Sequence, residues 1–208
     1  MLTISRQTLQ RLPLYLNYLK ALPPETGNIS ATTLAQSMSL GDVQVRKDLA
    51  AVSDRGRPKV GYDRLGLIHD IEEFLGYDNA DSAVIVGAGN MGRALLSYEG
   101  FSTYGLDVVA AFDADYTKLG TAENGKHIFP ISRLGELCER MKVKIGVITV
   151  PAAAAQSVCD TMIKAGVLAI WNFAPVHLTV PEGVLVQNEN MAVSLAVLSQ
   201  HLAERLST

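Results

Sequence analysis

The chain has 208 residues, with 18 Lys and Arg against 21 Asp and Glu, and 48% of it is hydrophobic, a make-up that allows one globular domain or two. No apolar run approaches the roughly 18 residues of a membrane span, and the amino terminus lacks the leader, apolar stretch and cleavage site of a secretory signal, so a cytoplasmic location is expected. The spacing of the two cysteines, Cys138 and Cys159, suits neither a disulfide framework nor a zinc site, so both are expected to be reduced and structural, with no metal bound.

Charge is unevenly placed. Residues 1–64 hold nine Lys and Arg against five Asp and Glu, and the remainder holds nine against sixteen. A basic end on a larger acidic body is the asymmetry expected where one end meets a polyanion.

In residues 5–22, Leu9, Leu12, Leu16 and Leu19 recur every three or four positions and predict a helix that Pro13 starts or bends. The Pro23, Pro24 and Gly27 segment is a turn, after which Ser30 is placed to cap a helix carrying Leu34, Ala35 and Met38. Gly41 and Asp42 break that helix and open another over 43–52. Two short helices about a tight turn make a helix-turn-helix, with Gln44, Arg46 and Lys47 on the recognition helix, facing phosphates and base edges. Residues 54–62 read as a basic hairpin, a wing whose Arg55, Arg57 and Lys59 are placed to enter a narrow minor groove. A connecting helix is predicted over 63–75, through Leu67, Ile68, Ile71, Phe74 and Leu75, and a domain boundary near residue 80.

Beyond the boundary, strands are predicted at 83–86, 108–112, 145–150, 169–173 and 184–187, with helices between the earlier ones. This is the pattern of a parallel sheet covered on both faces. Gly87, Ala88, Gly89, Asn90, Met91 and Gly92 place GxGxxG between an apolar strand and a helix. There Gly87 permits the tight turn, Gly89 lets a pyrophosphate approach, Gly92 lets helix and strand pack, and the helix amino terminus faces the anion. Asp113, 21 residues after Gly92, stands where an acid binds the adenosine ribose hydroxyls and repels a 2′-phosphate, favouring NAD over NADP; Arg93 reads as a solvated helix residue. Coenzyme A, which also carries adenosine and pyrophosphate, is a second ligand for such a domain.

The histidines at 69, 127, 177 and 201 form no acid/base or metal constellation, and His177 reads as a solvated loop residue. No catalytic residue is therefore expected; the enzymatic alternative is a small NAD-dependent oxidoreductase with a helical appendage. Met191, Leu195, Leu198 and Leu202 repeat at four, three and four residues, a seam that either joins two copies or packs on its own domain.

Arg11–Tyr15 (RLPLY), residues 44–49 (QVRKDL), Gly61 with Tyr62, 86–92 (VGAGNMG), 112–115 (FDAD), 145–151 (IGVITVP) and 172–175 (NFAP) together resemble the Rex family of redox-sensing repressors. The resemblance implies an α/β chain with a winged helix-turn-helix domain over 1–80, a doubly wound Rossmann-like domain over 81–188, and a dimerisation helix, exchanged between subunits, over 189–208. It further implies a homodimer on palindromic operator DNA, NADH as the effector that releases it and so reports the NADH/NAD ratio, and cofactor contacts from Thr149, Pro151, Asn172 and Ala174. The sequence departs from the family between Leu49 and Val60, where the family tends to have aromatic and glycine residues before a Thr-Arg-Gly type wing. Tyr98 corresponds to the family's interdomain switch tyrosine, and Asn190 stands where the family often has its acidic partner.

Overall fold

A computed structural model describes residues 4–77 and 81–206. The chain forms two compact units, Met1–Asp78 and Asn79–Thr208; the boundary expected at residue 80 lies outside the described residues.

In the first unit, Ser5 caps α1 (Arg6–Ala21) by accepting from the Thr8 amide, and Pro13 sits inside that helix. Strand β1 (Asn28–Ile29) leads to Ser30, whose hydroxyl caps α2 (Ala31–Ser37), and Gly41 opens α3 (Asp42–Ala50). Strand β2 (Tyr62–Asp63) pairs antiparallel with β1, and α4 (Arg64–Leu75) starts on the Asp63 side chain and stops at Gly76. Leu12, Leu16, Leu19, Leu34, Val45, Leu49, Leu67 and Ile71 close the core between these helices, as the three- and four-residue spacing predicts. Leu9 and Phe74 depart from that pattern and are exposed, Leu9 in the first turn of α1 and Phe74 in the last turn of α4.

The expected wing hairpin is smaller than predicted. Its strands reduce to a single bridge between Arg57 and Gly61, while the ladder forms between β2 and the distant β1. Two of the basic residues counted toward a polyanion surface are also internal. Arg64 is buried and donates to the carbonyls of Leu19, Thr26 and Pro24, and Arg11 pairs with the buried Asp48.

The second unit is one seven-stranded sheet. Strands β3 (Asp81–Val86), β4 (Leu106–Asp113), β5 (Gly120–Thr121), β6 (His127–Pro130), β7 (Ile145–Ile148), β8 (Ala169–Asn172) and β9 (Leu185–Asn188) lie in the order β5-β6-β4-β3-β7-β8-β9. All neighbours are parallel except the edge strand β5. Without that edge strand the order is 3-2-1-4-5-6 of the doubly wound dinucleotide fold. The five predicted strands are present; β5 and β6 were not anticipated, being short and flanked by polar turns. Helices α5 (Asn90–Leu96), α6 (Leu134–Arg140) and α7 (Ala152–Lys164) connect the strands, with separate apolar clusters on the two sheet faces.

Helix α8 (Met191–Leu206) ends the unit with every residue exposed. Met191, Val193, Leu195, Leu198, Leu202 and Leu206 are between 55 and 79% exposed. The alternative that this seam packs on its own domain therefore fails.

Candidate functional site

In the first unit, α3 is seated by a buried carboxylate. Asp48 accepts from Thr8 Oγ1 (2.9 Å), Arg11 Nε (2.7 Å), Arg11 Nη2 (2.9 Å) and the Tyr15 hydroxyl (2.8 Å), all on α1. Burial works to raise the Asp48 carboxyl, but the bonds from Arg11, Tyr15 and Thr8 outweigh it and hold it below the usual range. Burial and the Asp48 bond push the Tyr15 phenol up to about 12. With its amide oxygen turned toward Arg11, Gln44 accepts from Nη1 at 2.9 Å and Nη2 at 3.1 Å. Gln44 thus extends this network as well as standing on the candidate recognition face.

Arg46 and Lys47 are exposed on α3. Arg46 pairs with Asp42 (2.9 Å) and donates to Thr32 on α2. A groove of about 640 Å³ between these helices and the wing is lined by Thr32, Arg46, Arg57, Pro58, Lys59 and Tyr62 among others. Three of the predicted DNA-binding cations thus share one concavity. Lys59 holds a φ of 64°, where a non-glycine residue costs about 1 kcal/mol. Arg55 is placed differently: its guanidinium pairs with Asp70 of α4 at 3.2 Å.

In the second unit, a cavity of about 640 Å³ opens at the carboxyl ends of β3, β4 and β7 and is lined by Val86, Gly87, Gly89, Asp113, Lys118, Thr149, Pro151 and neighbouring residues. Ligands of open α/β sheets bind at this point, where the strand order reverses. Gly87 has a φ of 104° and Gly92 abuts it, so that a Cβ on Gly92 would collide with the Gly87 carbonyl. A Cβ on Gly89 would instead point into open space, as a closely approaching phosphate requires.

Asp113 accepts from the Ala88 amide (2.7 Å), the Asp115 amide (2.8 Å) and Lys118 Nζ (3.2 Å). Its burial favours the neutral acid, yet the two amides and the ammonium prevail and keep the carboxyl below the ordinary aspartate range. The sequence reading missed Lys118, since one lysine five residues past the acid follows no periodic pattern. Arg93 is a correction: although exposed, it donates to the carbonyls of Ala88 and Lys118, clamping the glycine loop to the segment after β4.

Thr149 lines the cavity, but its hydroxyl donates to the Val86 and Gly87 carbonyls and ties β7 to the glycine loop. Asn172, expected as a cofactor contact, is fully buried. Its amide bonds Ala174, Val176 and Asn188, so it shapes the loop after β8 instead of lining the main cavity. Ala174 borders a smaller cavity with Pro175, Val176, His177 and Asn190. Asn90, Met91 and Gly92 form the first turn of α5. Asn190 accepts from the Ala192 amide at the start of α8, and Tyr98 packs edge-on against Phe101; among the described residues no hydrogen bond joins Tyr98 to Asn190.

Burial pushes the Cys138 thiol up to about 11 and, with Asp160, raises that of Cys159, so both buried cysteines are poor nucleophiles. Among the described residues there is no His, Cys, Asp and Glu group able to hold a metal ion, and no helix is long and apolar enough to cross a membrane.

A model described as "putative DNA-binding protein N-terminus" matches residues 3–50, and one described as "CoA binding domain" matches residues 78–176. The redox-sensing transcriptional repressor Rex of Porphyromonas gingivalis is 41% identical over 196 residues, 94% of this chain and 90% of its own. The chain belongs to the Rex family. The Rex of Carboxydothermus hydrogenoformans is likewise 41% identical, over 94% of this chain and 95% of its own. Among solved structures, the Rex-family repressor RSP in complex with β-NAD+ and operator DNA matches with a TM-score of 0.92 at 30% identity, over 99% of this chain and 95% of that one. RSP in complex with β-NADH matches with a TM-score of 0.88 at 30% identity, over 99% and 97%.

Proposed function

We propose that this protein is a redox-sensing transcriptional repressor of the cytoplasm, in which the first unit binds operator DNA and the second binds NADH or NAD+. The observation that carries the reading is the match over 99% of the chain to a Rex-family repressor holding both NAD+ and operator DNA. The Arg46, Arg57 and Lys59 groove and the cavity over Gly87, Gly89 and Asp113 are concavities of the right chemistry for those two ligands. The exposed apolar face of α8 is covered by a second copy, which supplies the two-fold symmetry that a palindrome requires. Tyr98 and Asn190 are assigned to the coupling between cofactor and DNA on the strength of the family resemblance.

The deciding experiment titrates labelled palindromic DNA, selected from random duplexes, with the protein alone, with NAD+ and with NADH. NADH is expected to weaken DNA binding by about 5- to 150-fold, the range of ordinary allosteric coupling, and DNA to weaken NADH binding by the same factor. An unchanged dissociation constant at saturating NADH and fixed salt defeats the redox-sensor reading. Tighter binding of coenzyme A than of NADH, or turnover of NADH with a small substrate, would favour the other two readings of the fold.

The role of Asp113 is tested separately. Asp113→Ala is expected to weaken NADH binding about ten- to hundredfold, because a charged acceptor is lost, and to narrow the preference for NADH over NADPH. An unchanged ratio of the two affinities in calorimetry removes the assignment.

A further inference from the structure

The segment between Leu49 and Val60 is held by polar contacts to α4. Ser53 is buried just past the end of α3, and its hydroxyl donates to Asp70 Oδ2 at 2.5 Å. The Arg55 amide donates to the same hydroxyl (3.3 Å), and Arg55 Nε meets Asp70 Oδ1 at 3.2 Å. The alkyl stem of Arg55 lies along α4, so that a Cβ on Gly66 would sit 3.6 Å from Arg55 Cδ. The Asp70 side chain is only 10% exposed, and Ser53 and Arg55 are the partners that satisfy it. An unpaired carboxylate at that depth is costly, so the three groups hold together or the carboxylate loses its compensation.

At its far end the wing is tied to β1 through the Ile29 and Tyr62 pair. Its two arms are joined to each other by the single Arg57 and Gly61 bridge, and residues 54–60 are all exposed, so the near end depends on the contacts to α4. We propose that Asp70, Ser53 and Arg55 form a latch that sets the position of the wing beside α3, making Arg55 a positioning residue for operator binding and not a DNA contact. This inference rests on the proposed operator binding. A guanidinium drawn back onto α4 is less available to a minor groove, which leaves Arg57 and Lys59 as the wing's cations on the groove side.

The test uses the full-length protein, the DNA selected above, and amide exchange at Arg57 and Gly61. Arg55→Ala removes a largely exposed side chain and leaves the core of the unit intact. It is expected to speed exchange at both amides and to weaken DNA binding about tenfold, the cost of ordering a loosened element, with the salt dependence unchanged. Asp70→Asn is expected to give the same two effects, the double variant to be no worse than either single one, and Arg55→Lys to restore most of the affinity. If Arg55 touches phosphate, Arg55→Ala lowers the salt slope by about one, while Asp70→Asn, which frees the arginine, leaves binding equal or tighter; either result overturns the latch. Unchanged exchange at Arg57 and Gly61 in Arg55→Ala overturns it as well. Failure of the unmodified protein to bind DNA instead defeats the repressor reading, and the exchange comparison then still decides the latch.

Discussion

Gly92→Ala is expected to yield a repressor that binds its operator normally and no longer responds to NADH. The alanine Cβ would strike the Gly87 carbonyl oxygen and approach Thr149 Oγ1 to 2.9 Å, and neither can retreat. The carbonyl belongs to a backbone already held at a positive φ, and Thr149 is bonded to that carbonyl and to Val86. The first turn of α5 must therefore move away from β3, carrying with it the amides of the glycine loop. Overpacking of this kind costs about 1 to 3 kcal/mol, and the displaced amides bring the expected loss of NADH affinity to about hundredfold. The first unit contains none of these groups, so DNA binding should persist with its salt dependence unaltered. Calorimetry with NADH and DNA titration with and without NADH decide the matter. Release of DNA from Gly92→Ala at the NADH concentration that works on the unmodified protein would show that this loop is not the sensor.

Asp48→Asn is expected to destabilise the first unit by about 3 kcal/mol, at the lower end for a broken buried ion pair because Arg11 retains some solvent contact. The change leaves Arg11 without its counter-charge and turns an amide donor toward the Tyr15 hydroxyl and Arg11, themselves donors. A domain of this size is stable by only about 5 to 15 kcal/mol, so the loss is large and α3 is unseated from α1 well before the second unit is affected. Urea unfolding followed by amide exchange in residues 6–50 reads the effect, and NADH affinity serves as the control that should not change.

The pH dependence supplies a second test of the same residue. The folded Asp48 carboxyl titrates below its unfolded value near 3.9, so its stabilisation is complete above that value and is lost as pH falls through the folded one. The first unit should therefore weaken on acidification below about pH 4, and Asp48→Asn should flatten that part of the profile. An Asn variant that keeps both the stability and the acid transition of the unmodified chain would remove Asp48 from this role.

Much of the architecture was legible because it depends on local chemistry. Leu12, Leu16 and Leu19 share one helical face whatever surrounds them, Ser30 caps by reaching its own neighbours, and Gly76 ends α4 in a left-handed conformation. The glycine fingerprint was equally readable, since its spacing is dictated by the turn it makes and by the strand and helix on either side. The wing was harder: residues 54–62 carry turn and basic residues, but β2 finds its partner in β1, more than thirty positions back in the chain.

The charged residues show the limit most plainly. In the sequence, Arg11, Arg46, Arg55 and Arg64 are equivalent positive charges beside a run of helices. Folding sends Arg64 onto buried carbonyls and Arg11 onto Asp48, turns Arg55 back to Asp70, and leaves Arg46 in the open groove. Asn172 shows the same limit in the second unit, where its amide serves the loop and not the main cavity. By itself the sequence determined the main helices, five of the strands, the dinucleotide loop and the apolar seam of α8, because each follows from periodicity or from contacts within a few residues. Only the tertiary structure decided which charges face a ligand and which hold the fold, because a side chain's role is set by the partners that reach it from distant segments, and burial makes an unsatisfied charge too costly to leave alone.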